Sequence, residues 1–153
     1  MTILYAPFAR AMPQLAGKPS PKSYPFAKEL ADLIVARHTL VQLGGQEDEE
    51  LTPDFRKNLS FDEVGKLIST CDTAVCVDSY LQHHCWYLNK KAIVLWGISD
   101  PLIFGHPIHD NLLVSRSFLR PNQFDLYYSN EHNPGAFVLP EVVLETINTL
   151  EVK

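Results

Sequence analysis

Two patterns of apolar residues alternate along the chain. Thr2 to Tyr5, Thr39 to Leu43, Thr73 to Val77 and Ala92 to Trp96 are short, almost continuously apolar runs. Such runs suit strands covered on both faces, as in a parallel sheet. Between them, apolar positions recur at helical spacing. Residues 24–38 carry Phe26, Leu30, Leu33, Ile34 and Ala36 behind Pro25, a residue tolerated in a first helical turn. Ser60 and Glu63 form a capping box, and the helix it opens places Phe61, Val64, Leu67, Ile68 and Cys71 on one face. A further helix is predicted from about Tyr80 to Leu88. Pro140 opens a last one, with Val143, Ile147 and Leu150 in register. Leu112 to Val114 is a weaker strand. Residues 11–22, rich in proline, read as a loop, and the acidic stretch 46–54 as a solvated loop or short turn.

Strands that alternate with helices over short connections are the mark of βαβ units. The expected fold is therefore α/β, a Rossmann-like three-layer sandwich around a mainly parallel sheet with right-handed crossovers. No internal repeat, low-complexity tract or linker interrupts the pattern. With 153 residues, 46% of them hydrophobic and 20% charged, residues 1–153 are expected to form one globular domain.

Charge narrows the function classes. The formal net charge is −5, and the densest charged run, Glu47-Asp48-Glu49-Glu50, is acidic, so a nucleic-acid binder is not expected. No apolar run approaches the roughly 20 residues needed to span a bilayer, and Pro7 breaks an N-terminus without a basic leader, so neither a membrane span nor a signal peptide is expected. Three cysteines, Cys71, Cys76 and Cys85, fit free thiols in a reducing cytoplasm.

In a doubly wound sheet, ligands bind outside the carboxyl ends of the strands. Three strand-end loops carry suitable chemistry. Gly44 and Gly45 let a backbone approach a ligand closely, and Glu47 offers a carboxylate to ribose hydroxyls. Asp78 and Ser79 stand where a strand becomes a helix, whose first amides and dipole suit a diphosphate. Gly97 and Ser99 belong to a second turn of the same kind. Arg10, Lys18 and Lys22 on the first loop supply positive charge. Each feature also has a plain structural reading: Ser79 as a helix cap, Gly44-Gly45 as a turn, Glu47 as part of a solvated face. His83-His84-Cys85 is not expected to bind a metal, because adjacent helical residues point about 100° apart and His106 and His109 fall in a separate loop. A Cys–His nucleophile is weaker still, since Cys71 and Cys76 read as core.

Taken together and in order, these segments resemble glycosyltransferase family 9, the heptosyltransferase-like enzymes. The matching stretches are Lys22-Ser-Tyr-Pro25, Leu43-Gly-Gly-Gln-Glu47, Leu59-Ser60-Phe61 with its helix, Asp78-Ser-Tyr-Leu-Gln-His83, and Lys91 to Pro101. The resemblance, over roughly residues 1–105, is to the C-terminal half of a GT-B enzyme, which binds the nucleotide-sugar donor. It implies that Asp78, Ser79 and His83 line the diphosphate and sugar, that Glu47 reaches the ribose, that Lys22 contacts phosphate, and that Ser99 lies on the neighbouring turn. It also implies no required metal or other cofactor. Tyr80 departs from the family's glycine and stands at the phosphates. The half that supplies the acceptor site and the catalytic carboxylate is not expected within residues 1–153.

Two readings follow. In the first, the chain binds a nucleotide-sugar and transfers it with a separate acceptor-binding subunit. In the second, it is a non-catalytic nucleotide-binding, sensing or sequestering protein. A stand-alone enzyme of another class ranks last, since the chain has neither a G-x-S-x-G elbow nor a Walker loop. A homodimer is a further expectation, with Trp86, Tyr87, Phe104, Tyr127 and Tyr128 as surface candidates. Residues 105–139 are turn-rich and read as lids or plain connections.

Overall fold

A computed structural model describes residues 1–10 and 12–152, apart from the side chain of Tyr128. Among these residues six strands form one sheet: β1 (Thr2–Ala6), β2 (Thr39–Gly44), β3 (Phe55–Lys57), β4 (Thr73–Val77), β5 (Ala92–Leu95) and β6 (Asp110–Leu112). Their order is β3-β2-β1-β4-β5-β6, and every neighbouring pair is parallel. The helices are α1 (Ala27–Val35), α2 (Phe61–Thr70), α3 (Tyr80–Tyr87), α4 (Pro101–Phe104) and α5 (Pro140–Glu151). None is long and apolar enough to cross a membrane.

Strand periodicity divides the core into two layers. Ile3, Tyr5, Val75, Val77, Ile93 and Leu95 face α1 and α5, where Leu30, Ile34, Val143 and Ile147 cover them. Leu4, Ala6, Ala74, Cys76, Ala92 and Val94 face α2 and α3, under Val64, Ile68, Leu81 and Cys85. The result is an α/β three-layer sandwich of Rossmann type. The Ser60–Glu63 capping box forms as expected, with the Glu63 amide donating to Ser60 Oγ (3.2 Å) and the Ser60 amide to Glu63 Oε2 (2.7 Å).

Several local expectations change. The first long helix starts at Ala27, because Tyr24 is turned inward: its amide bonds Pro7 O and its hydroxyl Val138 O. Phe61, assigned to the buried face of α2, is 58% exposed and stacks on His84 instead. The stretch 46–54 is not wholly solvated, since Leu51 and Thr52 are buried. The buried Gln42 causes this. Its amide donates to Glu49 O (2.7 Å) and accepts from the Leu51 amide (2.8 Å), folding the acidic loop back over the end of β2. β3 escapes the apolar pattern because it is a three-residue edge strand with Arg56 and Lys57 exposed, a form that resists edge-to-edge pairing. The last strand is Asp110–Leu112 rather than 112–114.

Gly97 is fixed by packing. A Cβ there would stand 2.6 Å from the Phe137 ring, which closes the α5 side of the core. Gly97→Ala is expected to destabilise the protein by about 1–3 kcal/mol, the usual cost of overpacking. Phe137→Leu should recover part of that loss in the double variant. Urea unfolding of the three variants checks both expectations.

Candidate functional site

The crossover through α1 leaves β1 toward β2, and the crossover through α2 returns the chain to β4 on the other side of β1. The carboxyl ends of β1 and β4 therefore flank a topological switch point. Lys22, on the loop after β1, reaches across it. Its Nζ lies 3.0 Å from Asp78 Oδ2, immediately after β4, and 4.4 Å over the Tyr127 ring. Gln82 Nε2 donates to the other carboxylate oxygen of Asp78 (3.0 Å). The pair is mostly shielded, with side chains 19% and 10% exposed, which strengthens it over an ordinary surface ion pair. The Lys22 loop is itself anchored, by Ser23 Oγ accepting from the Ala9 amide (2.9 Å) and by the Tyr24 amide donating to Pro7 O (2.8 Å).

Beside this pair, α3 begins without a side-chain cap. Ser79 occupies the N-cap position with extended backbone, but its hydroxyl makes no capping bond. The cap reading of Ser79 is thus not realised. The first amides of a helix have no internal partner, and here the helix end opens on a cleft of about 460 Å³. Ser79 and Tyr80 line one wall, and Gly44, Gly45 and Glu47 line another.

The β2 end is shaped so that Glu47 faces outward. Asp48 turns back and accepts from the Gly45 amide (2.7 Å), and burial raises its carboxyl above the usual range despite that bond. A Cβ on Gly44 would meet Asp48 Oδ2 at 2.5 Å and the Phe55 ring at 3.0 Å, so a larger residue there would displace the Asp48 carboxylate from the Gly45 amide. Glu47 has no hydrogen-bond or ion-pair partner among the described residues. It lines both this cleft and an adjoining cavity of about 690 Å³ above α1.

Tyr80 is held along α3 rather than left free. Its hydroxyl is hydrogen-bonded to His84 Nδ1 (2.7 Å), one turn on, and Phe61 stacks flat on that imidazole at 3.9 Å. Burial lowers the His84 pKa, which favours the neutral ring that this bond uses.

The remaining predicted residues lie elsewhere. His83 is exposed on α3 and pairs with His106, away from the cleft lining. Gly97 is covered by Phe137, and Ser99 is 2% exposed, its Oγ without a partner. Trp86 stacks on His106, and Tyr87 lies 6.4 Å from Phe61. Phe104 packs edge-on to Phe124, and the Tyr128 side chain lies outside the described residues. All three cysteines are buried and free, and burial raises their thiols, Cys85 to about 12, so none is poised as a thiolate. Leu59, from one of the matching stretches, also lines the cleft, as do Phe8 and Asn58, which were not singled out. Asn58 carries one readable sign, a turn asparagine with φ of 51°, whose amide bonds Gly44 O.

The turn after β5 is stabilised by charge. Arg116 donates two hydrogen bonds to Asp100 (2.9 and 2.7 Å), and Asp100 Oδ1 also accepts from the Leu102 amide to cap α4. The Arg116 hydrogen bonds, foremost, hold the Asp100 carboxyl below its ordinary range. A depressed carboxylate adds stability above its unfolded pKa, near about 4, and loses it as pH falls through the folded value. Arg116→Gln should therefore lower the melting temperature at neutral pH, with the gap to the parent closing toward about pH 3. Thermal scans across pH check this; a constant gap contradicts it.

Comparison with known proteins agrees with this architecture. No curated protein sequence matches the chain. Among solved structures, E. coli ADP-heptose LPS heptosyltransferase II is similar with a TM-score of 0.66 and 20% sequence identity, over 97% of this chain and 46% of that one. At that identity the likeness shows the fold, and this chain spans less than half the length of that protein. The family model of glycosyltransferase family 9 (heptosyltransferase) matches residues 28–133, a segment that runs from α1 through β6 and includes Gly44, Glu47, Asp78 and Ser79. By that match the chain belongs to glycosyltransferase family 9.

Proposed function

We propose that this chain binds a nucleoside-diphosphate sugar across the carboxyl ends of β1, β2 and β4, as the donor-binding half of a glycosyltransferase. The observation that carries this reading is the uncapped amino end of α3, with a free Ser79 hydroxyl, opening on a cleft whose other wall is Gly44, Gly45 and Glu47. In this reading the diphosphate sits on the first amides of α3 and Ser79, and Lys22 turns from Asp78 to meet it. Glu47 accepts from the ribose hydroxyls, and the apolar side of the cleft, with Leu43, Leu59 and Val64, receives the base. Asp78 then faces the sugar side. Helix amides and one lysine supply the positive charge, so binding requires no metal. The acceptor and the catalytic base come from a second polypeptide. Three free cysteines fit the reducing cytoplasm in which nucleotide-sugars are made.

Tyr80 favours a second reading, a nucleotide-binding protein without transfer activity. It places an aromatic ring at the first position of α3, beside the phosphate position, where the family motif has glycine.

Titration calorimetry with ADP, UDP, GDP and their sugar conjugates, and with CMP-linked sugars, tests the shared core of both readings. One member of the panel is expected to bind at 1:1. Ser79→Ala and Glu47→Gln should each weaken it by about tenfold, the scale of one hydrogen bond to a charged group. No heat with any ligand, or binding indifferent to both substitutions, overturns the proposal. Binding without turnover when acceptor-half proteins are supplied selects the second reading.

A further inference from the structure

His83 and His106 are 23 residues apart in sequence, on α3 and in the loop between α4 and β6, yet the fold brings their rings together. His83 Nδ1 and His106 Nε2 are 2.7 Å apart, with the ring planes at 88°. The His106 ring is positioned by its surroundings. His106 lies flat on the Trp86 indole at 4.5 Å and 6°. Its carbonyl accepts from Asn111 Nδ2 (3.0 Å), and Asn111 Oδ1 accepts from the indole N–H of buried Trp96 (2.9 Å). Gly105 fits the turn only as glycine, since a Cβ would stand 2.5 Å from Pro101 O. A third histidine ties the same loop to α3. His109 Nδ1 accepts from the Ala92 amide (3.1 Å), and its Nε2–H donates to Gln82 O (2.8 Å), beside His83. Both nitrogens of His109 are thereby engaged, while among the described residues His83 Nδ1 and His106 Nε2 meet only each other.

We propose that His83 and His106 form a two-imidazole chelate for a divalent transition ion of the Zn²⁺ or Ni²⁺ class. Nitrogens each about 2.0–2.1 Å from one such ion stand roughly 3–3.4 Å apart, so the pair has only to open by a few tenths of an ångström and turn its rings. The proton between the two facing nitrogens moves to the far nitrogen of its own ring when that ring is neutral, and to solvent when it is charged. Among the described residues no group of three or more His, Cys, Asp or Glu side chains is arranged to hold a metal ion, so water completes the coordination sphere. The ion would pin α3 to the loop before β6. This site is separate from the nucleotide cleft and does not rest on it.

Titration calorimetry of the full chain with Zn²⁺, and in parallel with Ni²⁺, tests the proposal in a non-coordinating buffer under reducing conditions. One ion is expected per chain. His83→Gln, at an exposed position, and His106→Gln should each weaken binding by at least about tenfold, the scale seen even for outer-shell partners. His132→Gln should leave it unchanged. Zn²⁺ should raise the melting temperature of the parent by a few degrees and leave that of the double variant in place, because a ligand of the folded state alone stabilises it. Absence of 1:1 binding overturns the proposal. So does binding that survives in the double variant, or that disappears on thiol alkylation instead.

Discussion

β1 pairs in parallel with β2 on one side and β4 on the other, so the chain must leave it in one direction and return to its opposite side. Right-handed crossovers then put α1 on one face of the sheet and α2 and α3 on the other. Both faces are closed by apolar packing, which leaves the strand ends for polar chemistry. The amino end of α3, the glycines after β2 and the loop after β1 converge there because β1 occupies the centre.

Lys22 and Asp78 draw the two sides of that switch point together. Their ion pair is mostly shielded, bounded by Tyr127 above the ammonium and by Gln82 on the second carboxylate oxygen. Tyr127 brings part of the turn-rich segment 105–139 onto the site, giving that otherwise irregular stretch a definite anchor. Since Asp78 balances the Lys22 charge, the uncapped amides of α3 are what the strand ends of this acidic chain hold out to an anion.

Much of the fold was legible because parallel strands are apolar on both faces and α2 carries its capping box in plain sequence. What escaped has physical reasons. β3 is three residues of exposed edge, and Gln42 interrupts an apolar run while its amide organises the next loop. Phe61 has helical spacing but packs on a side chain of α3, which period alone does not reveal. At the site, glycine and serine positions after β2 and β4 were readable from loop chemistry and do line one cleft. Gly97 carried the same signal, yet its missing side chain makes room for Phe137, a contact 40 residues away in sequence. His83 and His106 looked unrelated for the corresponding reason, since they meet only where α3 lies beside the loop that enters β6.

The central claim is that the switch-point crevice is where this chain meets a nucleotide. Amide chemical-shift mapping by nuclear magnetic resonance, during titration with nucleoside diphosphates, tests it directly. The account predicts that the largest shifts fall on Gly44 to Glu47 and Ser79 to Leu81, with the α1 and α5 surface silent. Shifts centred on α1 and α5, or a spectrum unmoved by every nucleotide at saturating concentration, would contradict it.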